Sequence, residues 1–218
     1  MQALATETIQ SVPPFPQTLG ETEAPEVGYT LLCTRQGSTL YERACRLSAR
    51  EYQRHFNCVL KDFYPAYFCL LKDKRLMAVC GLRSGEEELF LEQYLDQPLE
   101  HMVSERLAEV VARESIVEIG GFALRNKDVA MLFMASMAPA FWKLGYTHAV
   151  CTATLPVRRC LRSLGIHSTS LAKADPARLR AADTDWGNYY AMRPAVVCGS
   201  LASTLELINA LAEGQFPS

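Results

Sequence analysis

The run IVEIGGFAL, Ile116 to Leu124, most constrains what this chain can fold into. Its ends read as a buried β-strand, because Ile, Val, Phe and Leu fit a pleated apolar surface. Its middle holds a carboxylate, Glu118, and a glycine pair, Gly120 and Gly121. Glycine inside a strand gives up a packing side chain and costs conformational entropy, so it marks a bulge or a place where another molecule approaches the backbone. A carboxylate two residues from such a place makes the strand a candidate for chemistry as well as for the core.

On either side of this strand the apolar period turns helical. Leu99, Met102, Val103, Leu107, Val110 and Val111 trace one helix face upstream, and residues 129–142 downstream are apolar nearly all round, the pattern of a helix buried in a core. Asn126 or Asp128 is the expected cap of that second helix. Nearer the start, Tyr41, Cys45, Ser48, Tyr52 and Phe56 recur at steps of three or four, predicting a helix over about 38–59 with Ser38 as N-cap. Strands are predicted near 29–34, over the hairpin 67–73 and 75–85, at 88–95, at 147–154, and over 186–199. A short helix at 156–165 has Pro at its first position and Gly at its stop, and another near 204–211 closes the chain. This order predicts an α/β fold: a three-layer α/β/α sandwich with helices on both faces of a mixed sheet. No strand runs into a G-x-G-x-x-G turn, which argues against a Rossmann domain. Residues 1–25, rich in Pro, Thr, Gln and Glu, are expected to be a disordered tail. Residues 26–200 then form one domain, and 201–218 a C-terminal helix and tail.

Composition narrows the function classes. A chain of 218 residues can bury an ordinary core, and its net charge of −2 does not suit a nucleic-acid binder. The eight cysteines are scattered without a C-x-x-C pair, mostly among apolar residues, as reduced buried thiols are in a cytoplasmic protein. The first residues lack the basic and apolar regions of a signal peptide, and the longest apolar stretch, 129–142, is too short to span a bilayer and contains Pro139. The four histidines form no paired spacing, so no metal site is expected.

The candidate chemistry begins with Glu92 and Glu118. If Phe90, Glu92 and Tyr94 share one strand face, Glu118 needs only a neighbouring strand for two carboxylates to open on one cleft, where either can take a proton from an ammonium group. The other reading is that one or both cap a helix or pair with arginine. A bulge at Gly120 and Gly121 leaves backbone N–H groups free to bond a thioester carbonyl, and lets a pantetheine arm lie along the strand; alternatively, the glycines admit a closely packed helix. Arg43, Arg46, Arg50 and Arg54 form a stripe that, with Arg158, Arg159 and Arg162, is either a docking face for an acidic carrier protein or phosphate, or a solvated surface. Trp186, Tyr189 and Tyr190 line an acyl pocket, or Tyr189 or Tyr190 protonates a leaving thiolate, or all three pack a core.

The stretches LFLEQYLDQPLE, VEIGGFAL, CTATLPVRRCLRSLGI, LAKADPARL and WGNYYAMRPAVV, in this order, closely resemble the thermostable hemolysin family. That family looks like a branch of the GNAT superfamily, and VEIGGFAL is also similar to a strand of acyl-homoserine-lactone synthases. The resemblance implies a GNAT-like sandwich whose sheet is splayed at its centre, between the Glu118 strand and the strand at 147–154, with an acyl thioester in the gap. It implies an N-acyltransferase that moves a medium- or long-chain acyl group from acyl carrier protein phosphopantetheine or acyl-CoA to an amine of a small molecule such as an amino acid, with no permanently bound cofactor. The expected acid–base residues are Glu118 and Glu92. Gly120, Gly121, Phe122, Leu124 and Arg125 are expected on the donor, and Tyr94, Asp96, Thr152, Trp186, Tyr189 and Tyr190 on the substrate. GNAT enzymes usually follow this strand with a glycine-rich pyrophosphate loop at a helix N-terminus. Here the segment reads RNKDVA, which favours a carrier-protein donor. A membrane-active cytolysin and a catalytically inactive GNAT-like binding module are the competing readings.

Overall fold

The computed structural model describes residues 7–11, 28–180 and 185–213. The strands are β1 (Glu7–Ser11), β2 (Tyr29–Arg35), β3 (Ala66–Lys72), β4 (Arg75–Ser84), β5 (Ile116–Leu124), β6 (His148–Ala153), β7 (Thr169–Lys173) and β8 (Ala195–Ser200). The α-helices are α1 (Thr39–Phe56), α2 (Leu99–Leu107), α3 (Ala130–Lys143), α4 (Leu155–Ser163) and α5 (Leu201–Ala212). All eight strands join one sheet in the order β1-β2-β3-β4-β5-β6-β8-β7, antiparallel except where β5 meets β6.

Local chemistry explains most of these elements. Ser38 caps α1 by accepting the Tyr41 N–H at 3.1 Å, and the helix ends where Asn57 turns left-handed at φ 54°. The β3–β4 hairpin closes through Asp73 and Lys74, both at positive φ, the conformation that matches the twist of a two-residue turn. Val117, Phe68, Phe133 and Phe141 build a core between the sheet and α3, with α5 beside it. On the opposite face, α1 buries Leu40, Ala44 and Leu47 against β3 and β4, and α2 packs Leu99 and Val103 near Ile116 and Val150. The result is the three-layer α/β/α sandwich of a GNAT-like fold.

Five elements differ from the sequence-based expectation. The segment 1–25, expected to be unstructured, contains β1, which pairs with the otherwise free edge of β2; edge pairing is a main-chain interaction and needs few apolar side chains. Residues 12–27 lie outside the described residues. The strand expected at 88–95 is a 3-10 helix, Phe90–Tyr94, because Glu118 binds the N–H groups that open it. The helix α2 stops at Ala108, which is left-handed at φ 56°, so Val110 is fully exposed and only Val111 joins the core. In the run 186–199, a 3-10 turn at Tyr189–Met192 precedes β8. The strand β7 was not anticipated.

Candidate active site

The centre of the sheet opens where β5 and β6 part. Their parallel ladder holds only at Ile116↔His148, Val117↔Ala149 and Glu118↔Val150; beyond it β6 stays paired to β8 alone. The cause lies in the glycine pair. Between the pairs Gly81↔Gly120 and Val79↔Ala123, β5 carries one residue more than β4, and Gly121 adopts φ +54°, a left-handed conformation that side-chain-bearing residues resist. The expected bulge is therefore present. Ser48 of α1 anchors it by donating a hydrogen bond to the Gly121 carbonyl at 2.9 Å.

A cleft of about 800 Å³, open to solvent, lies against this parting. Its floor is Ile119, Gly120 and Gly121 of β5 with Thr152 of β6, and its walls are largely aromatic: Tyr52, Phe63, Tyr64, Tyr67, Phe90, Tyr94, Trp186 and Tyr189. Tyr64 explains a second property of the glycines. A Cβ on Gly120 would lie 2.0 Å from the Tyr64 hydroxyl, and one on its cross-strand partner Gly81 would lie 2.4 Å from the ring. The two glycines thus form a bed for this tyrosine, and the Arg83 guanidinium lies over its ring at 5.4 Å from the centroid.

The WGNYY segment reaches the cleft because Gly187 lets it dock on the end of α1. A Cβ there would sit 2.3 Å from the Phe56 carbonyl, the same oxygen that accepts the Asn188 N–H at 2.7 Å. Docking presents Trp186 and Tyr189 to the cleft. Tyr189 donates to the Thr152 carbonyl at 2.8 Å, and Tyr190 stands behind the wall, its hydroxyl 2.5 Å from that of Tyr94. The Trp186 Nε1 and Thr152 Oγ1 atoms are buried and have no hydrogen-bond partner among the described residues.

Glu118 is 1 % exposed and lies behind the cleft, on the same strand face as Gly120. Its two oxygens accept the Phe90 and Leu91 N–H groups at 3.0 Å each, and the Arg83 Nη1 stands 3.9 Å away. Burial raises its pKa to about 7, against the opposing pull of Arg83 and the two N–H groups. It has both the cap role and the titration range of a general base.

Other expected site residues are placed differently. Glu92 does not share a cleft with Glu118. Arg113 grips its two oxygens at 2.6 and 2.9 Å, and it also accepts the Leu89 N–H. Burial would raise its pKa, but the Arg113 and Leu89 interactions prevail and lower it, and in this arrangement Glu92 braces Arg113 against the 89–94 turn. Asp96 is an exposed partner of Arg178 at 2.7 Å, away from the cleft. Phe122 turns its ring to the other face of the sheet, stacking on Phe133 at 5.6 Å, so only its main chain borders the parting. Leu124 packs into the same core, and Arg125 Nε donates to the Leu76 carbonyl at 2.7 Å, which ties it to β4. The α1 arginines lie on an exposed face where Glu42 and Glu51 offset them. Arg83, Tyr64 and Tyr52 were missed; the one legible signal was Arg83, a charge near the end of the otherwise apolar strand β4, which the structure sets directly across from Glu118.

The first turn after β5 bears on the donor. Asp128 lies just before α3, where its N–H is met by the Asn126 side chain, and no side chain caps the helix. A carboxylate one residue before the N-cap disfavours a pyrophosphate at this helix start. Among the described residues no group of His, Cys, Asp and Glu side chains is arranged to hold a metal, and no helix is long and apolar enough to cross a membrane.

A splayed β5–β6 pair under an aromatic cleft defines the GNAT-like fold class, and solved structures agree. The chain is similar to the acyl-homoserine-lactone synthase LasI (TM-score 0.57, 11 % identity, covering 88 % of this chain and 98 % of that one). It is also similar to the CoA-dependent acyl-homoserine lactone synthase BjaI with SAM and isopentyl-CoA (0.53, 14 %, 85 % and 89 %). A third is FeeM, an N-acyl amino acid synthase from uncultured soil microbes (0.50, 9 %, 78 % and 90 %). At these identities the likeness is one of fold. The family itself follows from sequence: residues 34–205 match the thermostable hemolysin model, and the chain belongs to that family. A search of curated proteins found no match.

Proposed function

We propose that this protein is an N-acyltransferase that moves an acyl group from a thioester to the amine of a small molecule. The observation that carries the reading is the three-pair β5–β6 ladder that ends at Glu118 and opens into the aromatic cleft. An acyl thioester enters the gap, its pantetheine arm running beside the unpaired edge of β5 as an added strand would. Main-chain N–H groups between Gly120 and Phe122 bond the carbonyl oxygen and stabilise the oxyanion. The acceptor amine gives a proton to Glu118 through a water, and its nitrogen attacks the carbonyl carbon. The carbon–sulfur bond then breaks, the nitrogen passes its second proton to the departing thiolate as the amide forms, and Glu118 returns the first to solvent. Aromatic walls suit a medium or long acyl chain, because each buried CH₂ contributes about 0.8 kcal/mol. Asp128 at the start of α3 supports a carrier-protein donor over free acyl-CoA.

The test is incubation with acyl carrier proteins and acyl-CoAs of graded chain length and a panel of amines, with thiol release followed by a colour reagent and amides identified by mass spectrometry. New amide with stoichiometric free thiol is the expected result. Binding of donors at every chain length without any thiol release would refute the enzymatic reading.

A further inference from the structure

Among the described residues that line the cleft, Arg83 is the single cation and Asp62 the single carboxylate. Arg83 is held from behind. Its Nη1 reaches the Glu88 carbonyl at 3.4 Å and stands 3.9 Å from Glu118, while its plane lies over the Tyr64 ring. Its Nε and Nη2 have no partner among the described residues, and its side chain, 23 % exposed, borders the cleft. A guanidinium braced on one flank and open on the other presents a fork that fits a planar anion by two parallel hydrogen bonds. With Asp62 on the same cleft, the described walls carry one charge of each sign. That balance suits a monoanion bearing an ammonium group and does not suit a pyrophosphate.

We infer that the acceptor is an amino acid whose carboxylate is bound by Arg83, and that this residue sets acceptor specificity. The inference rests on the acyltransferase reading and names its second substrate. Glu118, directly across the strand pair from Arg83, then lies close to the amine that is to lose a proton. An amine without the carboxylate leaves Arg83 unsatisfied, which is a source of discrimination larger than any contact with apolar walls.

The test needs binding and turnover together. Trp186 borders the cleft, and Trp142 is the other tryptophan, so Trp142→Phe leaves Trp186 as sole fluorescent reporter. The probes are N-dodecanoyl glycine, leucine and phenylalanine, and the carboxamide of each. The free acids are expected to bind at least tenfold more tightly than the carboxamides, with the ratio collapsing to within twofold in Arg83→Met and partly restored in Arg83→Lys; circular-dichroism melting confirms that each variant is folded. In turnover, the amino acid is expected to exceed its amide tenfold or more as acceptor, with the KM for the thioester unchanged by Arg83→Met. Equal binding of acids and amides, or a rise in thioester KM with the acceptor ratio preserved, overturns the inference. Turnover indifferent to the carboxylate also overturns it while leaving acyl transfer standing. Arg83-dependent binding of the free acids without turnover on any donor does the reverse, keeping the carboxylate site and refuting catalysis.

Discussion

Gly81→Ala isolates what the paired glycines do. Gly81 does not have a positive φ, so alanine meets no backbone objection there. Its new Cβ, however, falls 2.4, 2.5 and 2.7 Å from Cδ2, Cγ and Cβ of Tyr64, roughly 1 Å inside ordinary contact. These atoms are the root of the ring, so rotating the side chain does not clear them, and the 60–65 segment must move. Overpacking of this kind costs about 1–3 kcal/mol, and a clash at the root belongs at the upper end. Urea denaturation of wild type, Gly81→Ala, Tyr64→Gly and the double variant closes a thermodynamic cycle; glycine at position 64 removes the Cβ as well as the ring. In the Tyr64→Gly background, alanine at 81 should be neutral or stabilise by about 0.5 kcal/mol, since it lowers the entropy of the unfolded chain. A coupling of about 2–3 kcal/mol is expected. An equal cost in both backgrounds would show that the glycine serves some other contact and that Tyr64 does not rest on this bed.

Gly120→Ala touches only the tip of Tyr64, so it should cost less, about 1 kcal/mol, while weakening acyl-thioester binding tenfold or more in a fluorescence titration. Glu118, with its folded pKa raised from 4.5 to about 7, contributes stability that is full below pH 4.5 and lost as pH rises through 7. The linked change, about 3 kcal/mol, should appear in urea melts between pH 4.5 and 8 and vanish in Glu118→Gln. That variant also turns an amide NH₂ toward a backbone donor and should lose about 1–3 kcal/mol at low pH, along with turnover. Arg113→Met unpairs Glu92 and Glu100 and should lower stability by about 1–2 kcal/mol, whereas Glu92→Gln should leave kcat unchanged; a large drop in kcat would restore Glu92 to the chemistry. Tyr190→Phe strands the buried Tyr94 hydroxyl and should cost about 1 kcal/mol in thermal melts.

Several parts of this protein were determined locally, and those were legible in the residues alone. Ser38, the period of α1, the turn at Asp73 and Lys74, and the glycine bulge in β5 follow from interactions within a few positions, so the pattern reports them directly. The apolar run of α3 likewise announced a buried helix, because no arrangement exposing every face of it is stable. Tertiary structure decided the rest through contacts between distant residues. FLEQY alternates well enough for a strand, but Glu118, 28 positions away from Phe90, gathers its N–H groups into a 3-10 turn and thereby sends Glu92 to Arg113 and Tyr94 to the cleft. Tyr64 carries no local signal of function and Arg83 only that of a charge near the end of an apolar strand, and they enter the site only because β4 pairs with β5 in the register that sets Gly81 against Gly120 and Arg83 against Glu118. A carboxylate, a glycine pair and a strand can be read along a chain; which charge faces which cavity depends on how far apart the sheet lets two neighbours drift.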